Sequence, residues 1–281
     1  MRHDAGMNTP ASSIDIAFIG GGNMATAIIG GLLRQGRPPA RILVIDPVAE
    51  QRQRLSDTLG VQTAAGPDAM LSQARVVVWA VKPQQFKDAA TTCAALCPQA
   101  LHYSVMAGLR TEDMARLLGT PRIVRAMPNT PALVGQGMTG LFARPEVTEA
   151  ERQDIERMVA PTGQHLWVQQ EAHLDAVTAM SGSGPAYVFY FIESMMQAAQ
   201  EMGLSAEEGR QLAVATFAGA TSLAAQSSDS PAVLRERVTS KGGTTYAALT
   251  HMEAAGIKSA FIAAMRAAER RASELGDEFG R

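Results

Sequence analysis

Residues 14–25 read IDIAFIGGGNMA, a short apolar run followed at once by three glycines and the start of a helical pattern. The run Ile14–Ile19 has the length and the β-branched content of a buried strand. Apolar residues then recur at helical spacing until Gly36, which closes the pattern as a C-cap: Met24, Ile28, Ile29, Leu32 and Leu33. This order of strand, turn and helix predicts the first unit of a parallel sheet.

The three glycines fit the dinucleotide-binding pattern G-x-G-x-x-A. In that pattern Gly20 permits a tight turn, Gly22 lets a pyrophosphate approach the backbone, and Ala25 lets the helix pack close to the sheet. Asn23 and Met24 are the first residues of the predicted helix. The backbone amides of this first turn have no partner within the helix and can bind phosphate. A plain glycine-rich turn is the alternative, but the strand before it and the helix after it favour the nucleotide.

The next 140 residues alternate short β-branched runs with helical stretches, which predicts a doubly wound, mostly parallel α/β sheet. Four further strands are expected at Arg41–Ile45, Arg75–Val81, Leu101–Val105 and Ile123–Met127. A helix is expected at Gln51–Leu59, ended by Gly60, and Thr148 with Glu151 predicts a capping box for a later one.

From about residue 171 the strand signals stop and alanine- and methionine-rich helical stretches take over. Ser205 with Glu208 predicts a capping box for a helix over Ala206–Gln226, and Ser230-Pro231 predicts the start of another. We therefore expect a leader over residues 1–13 that is disordered, a dinucleotide-binding domain over 14–169 and an all-α domain over 170–281. The helical domain is small for its apolar faces, so we expect it to form a homodimer.

Asp46 ends the second strand, where a carboxylate hydrogen-bonds a ribose 2′-hydroxyl and repels a 2′-phosphate. It therefore tilts the expected cofactor slightly from NADPH to NADH. Arg52 and Arg54 follow closely and could hold a phosphate instead. As a further alternative, Asp46 only starts a turn with Pro47.

Two other segments leave central strands at the edge where open α/β sheets bind ligands. Ala80-Val81-Lys82-Pro83 follows one strand, and Lys82 there could meet a phosphate or a substrate carboxylate. Asn129 lies between two prolines after another strand and could orient the nicotinamide carboxamide. A surface lysine and a rigid loop are the alternatives.

The stretch Val238–Thr245 reads VTSKGGTT and joins two helices. Gly242 and Gly243 let successive backbone N–H groups converge, and the next helix adds its own free amides, so the loop suits a compact carboxylate. A glycine-rich turn with a threonine cap is the alternative. A second turn, SGSGPAY at residues 181–187, either lines the site or only packs helices.

Composition excludes several classes of function. Twenty-five basic and 27 acidic side chains leave a formal charge of −2, which argues against a nucleic-acid or anionic-membrane surface. No apolar run is long enough to span a bilayer, and no signal core precedes the first strand, so we expect a cytoplasmic protein. Cys93, Cys97 and the five histidines show no metal-ligand spacing and are interpreted as structural, without a metal site.

Taken in order, GGGNMATAIIGGL, VKPQ, RAMPNTP, SGSGPAY and VTSKGGTT resemble the motifs of pyrroline-5-carboxylate reductases over nearly the whole chain, residues 14 to 275. The resemblance implies a Rossmann domain followed by an all-α dimerisation domain, with homodimers that assemble into rings such as a decamer of five dimers. It also implies reduction of 1-pyrroline-5-carboxylate to L-proline with NADPH or NADH.

Carried over by position, the resemblance assigns the cofactor turn to Gly20–Ala25 and the nicotinamide side to Asn129. It assigns the carboxylate to Ser240, Gly243, Thr244 and Thr245, and we expect Lys241 and Gly242 of the same loop to take part in substrate binding. Thr245 is implied as the catalytic residue, because its hydroxyl would reach the ring nitrogen. Lys241 departs from the family, which most often has proline there, and it adds a cation beside the carboxylate.

Two other functions remain open from the sequence. A reductase of the 3-hydroxyacid dehydrogenase kind would share the architecture but needs a catalytic lysine on an interdomain helix, for which no good candidate exists. A regulatory protein could bind the nucleotide without turnover, although the complete glycine turn and Thr245 speak against it.

Overall fold

The computed structural model describes residues 13–280, so the predicted leader lies outside the described residues except for Ser13. Contacts divide the chain into two compact units. The first unit comprises the residues up to Gly182 together with those from Glu269 onward, and the second unit is Ser183–Ala268. The domain boundary predicted near residue 170 stays a prediction.

The first unit is built on one eight-stranded sheet in the order β3-β2-β1-β4-β5-β6-β7-β8. Every pair of neighbours is parallel except β6 and β7, so the prediction of a mostly parallel doubly wound sheet is confirmed. The strands are β1 Ile16–Ile19, β2 Ile42–Ile45, β3 Gln62–Ala64, β4 Val76–Trp79, β5 Leu101–Ser104, β6 Ile123–Met127, β7 Gly137–Ala143 and β8 Gly163–Trp167. Strands β3, β7 and β8 were not predicted from the sequence.

The central strands are apolar along their whole length because both of their faces are covered. All four residues of β1, β2 and β4 are buried. Alternate side chains enter two separate cores, with Ile16 and Phe18 on one side of the sheet and Ala17 and Ile19 on the other. Near-continuous apolar strands of this kind are typical of parallel sheets between two helical layers.

Eleven α-helices occur in the described part of the chain. They are α1 Asn23–Arg34, α2 Ala49–Leu59, α3 Phe86–Cys93, α4 Thr111–Leu118, α5 Glu149–Val159, α6 His173–Val177, α7 Gly184–Glu201, α8 Ala206–Gln226, α9 Pro231–Arg237, α10 Thr244–Ala254 and α11 Ile257–Phe279. Both predicted capping boxes are confirmed, at the starts of α5 and α8. Gly60 ends α2 in the left-handed region, and Ser230 with Pro231 starts α9, as predicted.

The second unit is all-helical, and its helices keep few side chains buried. Gly209 of α8 lies so close to α7 that a Cβ there would stand 2.9 Å from the Cβ of Ala199. Large apolar side chains remain exposed on several helices of this unit, among them Phe189, Tyr190, Leu212, Leu223 and Val238. Within residues 13–280, no helix has the length and apolarity needed to cross a membrane.

His102 lies in β5 and is almost completely buried, 1% exposed, inside the first unit. Its Nδ1 accepts a hydrogen bond of 3.0 Å from the indole Nε1 of Trp79 in β4. Burial, reinforced by the nearby Arg122 guanidinium, lowers the pKa of His102 to about 4. The imidazole is therefore neutral at physiological pH and contributes to the core as an uncharged ring.

We predict that His102 makes the folded protein sensitive to acid. Its folded pKa lies below the unfolded value, so the unfolded chain binds more protons and the free energy of unfolding decreases as the pH falls from about 6.5 toward 4. The slope reaches about 1.4 kcal/mol per pH unit. His102→Gln, which keeps an acceptor for Trp79, should flatten the pH dependence of unfolding in urea. The exposed His173→Gln is the control and should leave it unchanged; equal profiles for both variants would contradict the prediction.

Candidate active site

The carboxyl ends of the parallel strands place three predicted residues along one edge of the sheet. Gly20, Asp46 and Ala80 directly follow β1, β2 and β4. The Gly20 N–H donates to the carbonyl of Ile45 at 2.8 Å, and the Ala80 N–H donates to the carbonyl of Ile19 at 2.9 Å. Since the strand order reverses between β1 and β4, this edge carries the crevice in which open α/β sheets bind their ligands.

Gly20 is required at the end of β1 for two independent reasons. Its φ of +96° lies in the region that favours glycine. A Cβ there would stand 2.7 Å from the carbonyl oxygen of Ala80 and 3.1 Å from Cγ1 of Val81. The turn can therefore cross the end of β4 only where no side chain is present.

The start of α1 is open to a ligand. Gly22 is the N-cap and provides no side-chain cap, and a Cβ on it would meet nothing within 4 Å. The first intrahelical bond runs from the Thr26 N–H to the Gly22 carbonyl, so the preceding amides have no acceptor within the helix. Gly22 and Asn23 are exposed, while Ala25 is fully buried beneath them. This cradle fits the pyrophosphate of a dinucleotide.

Asp46 is buried and braces the glycine turn. One carboxylate oxygen accepts from the Gly21 N–H and the other from the Val48 N–H, each at 2.9 Å. Gln51, which the sequence did not single out, donates from its side chain to the Gly21 carbonyl. Arg52 donates to the main-chain carbonyl of Asp46 at 2.8 Å. Asp46 therefore stabilises the glycine turn through hydrogen bonds, in addition to any contact with a ribose.

The two other segments predicted for the cofactor also leave strands at this edge. Ala80 and Val81 are half-buried, Pro83 begins a short 3₁₀ turn, and Lys82 is exposed before it. Asn129 follows β6 and is half-buried, and its side chain contacts other parts of the first unit. The roles predicted for Lys82 and Asn129 toward a ligand stay predictions.

The VTSKGGTT loop forms a tight turn before α10 in the second unit. The Gly243 N–H donates to the Ser240 carbonyl at 3.0 Å, and Gly242 has a φ of +74°. A Cβ on Gly243 would stand 2.6 Å from Oγ of Ser240, so that hydroxyl lies directly over the backbone. Lys241 occupies the exposed corner of the turn.

Gly243 is also the N-cap of α10, and no side chain caps this helix. Its first intrahelical bond runs from Ala247 to Gly243, which leaves the amides of Thr244 and Thr245 without an acceptor in the helix. Thr245 is half-buried and Thr244 is exposed. Free amides, two threonine hydroxyls and the positive end of a helix dipole together suit a small carboxylate.

Titratable groups with large pKa shifts lie away from these two loops. Burial raises the pKa of Cys97 to about 11 and raises that of Tyr103 still further, and both side chains are in the core of the first unit. No group of three or more metal-ligating side chains occurs within residues 13–280. The two loops themselves offer main-chain amides and hydroxyl groups, which can position and hydrogen-bond a ligand.

Fold and glycine turn define a Rossmann-type oxidoreductase with a helical second unit. Two family models agree with this division: "NADP oxidoreductase coenzyme F420-dependent" matches residues 15–108, and "Pyrroline-5-carboxylate reductase dimerisation" matches residues 171–275. A pyrroline-5-carboxylate reductase of Pseudomonas aeruginosa is 42% identical over 276 residues, covering 98% of this chain and 100% of the relative. The chain belongs to the pyrroline-5-carboxylate reductase family, so the resemblance seen in the sequence is confirmed.

Solved structures of the same family superpose over nearly the whole chain. A pyrroline-5-carboxylate reductase from Coxiella burnetii is 37% identical with a TM-score of 0.87, and covers 94% of this chain and 98% of its own. A pyrroline carboxylate reductase from Plasmodium falciparum, solved with NADP bound, is 25% identical with a TM-score of 0.84, and covers 94% and 99%. The predicted combination of a Rossmann domain and a helical dimerisation domain is confirmed.

We predict that Gly20→Ala weakens cofactor binding by at least roughly tenfold, because the new methyl group forces the turn away from Ala80. Gly36→Ala is the matched control, since Gly36 has a φ of +85° but a Cβ there meets nothing within 4 Å. That variant should lose stability, on the order of 1 kcal/mol, without losing affinity. Fluorescence titration with NADPH and with NADH measures the cofactor affinity of each variant. Equal affinities for the two variants would show that the turn tolerates a side chain at Gly20.

Proposed function

We propose that the protein reduces 1-pyrroline-5-carboxylate to L-proline with a hydride from NAD(P)H, the last step of proline biosynthesis. The observation that carries the proposal is the uncapped start of α10 behind the VTSKGGTT turn, in a chain whose family is named for this substrate. The glycine turn after β1 supplies the matching cofactor cradle. We further propose that the reaction takes place in the cytoplasm.

The substrate carboxylate is assigned to the residues from Ser240 to Thr245. Gly242 and Gly243 keep the backbone of the turn accessible, and the free amides of Thr244 and Thr245 provide donors that need no side chain. The Ser240 hydroxyl adds a donor over Gly243. Lys241 contributes a positive charge at the corner of the turn, so attraction of the substrate should be stronger at low ionic strength.

The proposed reaction depends more on the orientation of the substrate and the cofactor than on acid–base catalysis by side chains. When bound, NAD(P)H supplies the hydride that adds to C5 of the cyclic imine. The ring nitrogen keeps or gains one proton as the C=N double bond becomes a single bond. The Thr245 hydroxyl hydrogen-bonds this nitrogen and steers its protonation, while the carboxylate contacts hold the ring in place. Positioning of this kind can supply most of the acceleration.

The cofactor contacts follow from the same edge of the sheet. The pyrophosphate is assigned to Gly20, Gly22 and the first amides of α1, at Asn23, Met24 and Ala25. The nicotinamide end is assigned to the ends of two strands, at Ala80-Val81-Lys82-Pro83 after β4 and in the loop after β6 in which Asn129 lies. Family membership makes the cofactor NADPH or NADH, and we propose a modest preference for NADH because the Asp46 carboxylate lies at the carboxyl end of β2, where a carboxylate would hydrogen-bond a ribose 2′-hydroxyl.

The second unit is proposed to form the homodimer. The match of residues 171–275 to the dimerisation model supports an oligomer. Phe189 and Tyr190 of α7 and Leu223 of α8 are between 59% and 67% exposed in the single chain, which is unusual for large apolar side chains. A partner subunit would cover them. A ring of five dimers remains the proposed larger assembly.

The central test of the function is a spectrophotometric assay on the purified protein. Oxidation of NADH or NADPH should depend on added 1-pyrroline-5-carboxylate and should yield proline. We expect Thr245→Ala to lower the catalytic constant at least roughly tenfold, about 1.4 kcal/mol of barrier, through loss of the hydroxyl at the ring nitrogen. Thr245→Ser should restore most of the rate, and Thr250→Ala in the same helix should leave it unchanged.

Two results would argue against these assignments. A protein that binds NADPH but shows no turnover with the imine would be a regulatory nucleotide-binding protein of the same fold. An active protein in which Thr245→Ala has the wild-type catalytic constant would keep the function and remove Thr245 from the mechanism.

We predict that Asp46 controls the choice between the two cofactors. One unit charge at 4 Å is worth about 1 kcal/mol even in bulk water, so Asp46→Asn should raise the ratio of kcat/KM for NADPH to that for NADH by about fivefold or more. The ratio cancels damage common to both cofactors, including any loosening at Gly21. Asp57→Asn on the exposed side of α2 is the control. If Asp46→Asn leaves the NADPH-to-NADH ratio of kcat/KM unchanged, Asp46 stabilises the turn but does not select the cofactor.

A further inference from the structure

Asn129 follows β6 and connects three segments of the first unit through its side-chain amide. Its Oδ1 accepts from the Met138 N–H at the start of β7, at 2.8 Å. Its Nδ2 donates to the carbonyl oxygen of Ser181 and lies within hydrogen-bond distance of the Ser181 hydroxyl, both at 3.2 Å. The Met138 amide can only donate and the Ser181 carbonyl can only accept, so the two partners fix which end of the side chain is oxygen and which is nitrogen.

Ser181 belongs to a π-helical turn over Thr178–Gly182, which directly precedes the start of α7. Single π turns are locally less stable than α-helix and are common at functional sites. The turn also packs tightly on the end of β6, because a Cβ on Gly182 would stand 2.5 Å from the Met127 side chain. Asn129 therefore holds an irregular segment at the carboxyl end of β6.

We infer that Asn129 is a positioning residue of the reductase: its amide fixes Ser181 and thereby the glycine-serine turn at the sheet edge that carries the nicotinamide. The inference rests on the proposed function and deepens it. Both amide hydrogens and the amide oxygen already have partners inside the protein, so Asn129 acts through Ser181 rather than by reaching the cofactor. The glycines at 182 and 184 leave this turn without a rigid backbone of its own.

Asparagine meets this requirement because it presents an acceptor and a donor at the two ends of one flat group. Aspartate has the same shape but presents two acceptors when ionised. In Asn129→Asp the bond from Met138 would remain, while a negative oxygen would face the Ser181 carbonyl. Protonation of that carboxyl would return a donor to the same place. Lowering the pH should therefore restore activity to Asn129→Asp. It would not restore activity if the defect were steric.

The test compares steady-state kinetics of the wild type and Asn129→Asp in the full-length protein between pH 8 and pH 5. At pH 8 we expect the variant's kcat to be lower than the wild-type value by roughly tenfold. We expect its KM for NAD(P)H to stay within about twofold, because the pyrophosphate cradle is untouched. The ratio of variant to wild-type kcat should rise as the pH falls, and dividing by the wild type removes the pH dependence of the imine itself.

Gln136→Glu is the matched control, since it places the same isosteric charge on an exposed side chain of the same loop. It should match the wild type at every pH. Ser181→Ala removes only the hydroxyl contact and should cost much less than Asn129→Asp, because the carbonyl acceptor remains. Thermal melts at each pH separate inactivity from unfolding.

Two results would overturn the inference while leaving the function intact: wild-type kcat in Asn129→Asp throughout, or a loss that acid does not reverse in a folded variant. An inactive wild type would instead overturn the proposed function.

Discussion

The main chain at Gly20 passes so close to the carbonyl of Ala80 that no side chain fits between them. This contact joins the ends of β1 and β4, the two strands between which the strand order reverses. Because the turn is held there, α1 begins at the sheet edge with its first amides free, and Asp46 and Gln51 brace the turn from β2 and α2. The proposed cofactor cradle is therefore a consequence of how closely two strand ends approach each other, and the groups that it offers to a phosphate are main-chain amides.

The sequence predicted the parts of the fold whose signals are local. Strands β1, β2 and β4 are continuous apolar runs, and β5 and β6 combine apolar residues with one or two polar ones. The capping boxes at Thr148 and Ser205 are complete within four residues. Strand β7 was missed because packing requires glycines inside it: a Cβ on Gly140 would stand 2.7 Å from Val177, and one on Gly137 2.8 Å from the Thr162 carbonyl. These glycines interrupt the apolar pattern of the strand, and they are required because residues distant in sequence pack against them. Strands β3 and β8 are only partly buried or exposed and carry too few apolar residues to be recognised.

The candidate site also contains features that local sequence signals predict and features that depend on distant contacts. Motif spacing located the glycine turn, Asp46, Asn129 and the loop before α10, since each lies next to a predicted strand or helix end. It did not reveal what Asp46 and Asn129 contact. The partners of Asn129 are 9 and 52 residues away, and the Gly21 partner of Asp46 is 25 residues away, so these bonds depend on packing that no local pattern encodes. The residue type at a site is thus more predictable than its role, because one amide or carboxylate can serve the backbone as well as a ligand.

The distribution of perturbed groups explains why this site had to be found from loops and helix starts. Strongly shifted pKa values commonly mark catalytic clefts. Here the pKa values of His102, Tyr103 and Cys97 are shifted mainly because these side chains are buried in the core of the first unit, with smaller contributions from Arg122 at His102 and from Cys93 at Cys97. Reduction of a cyclic imine that already attracts hydride needs a held carboxylate, a held nicotinamide and one hydroxyl near the nitrogen. In the assignment proposed for this chain, the main-chain amides at the start of α10 hold the carboxylate and those at the start of α1 hold the pyrophosphate of the cofactor. Backbone amides do not titrate, so groups of this kind cannot be found by a search for shifted pKa values.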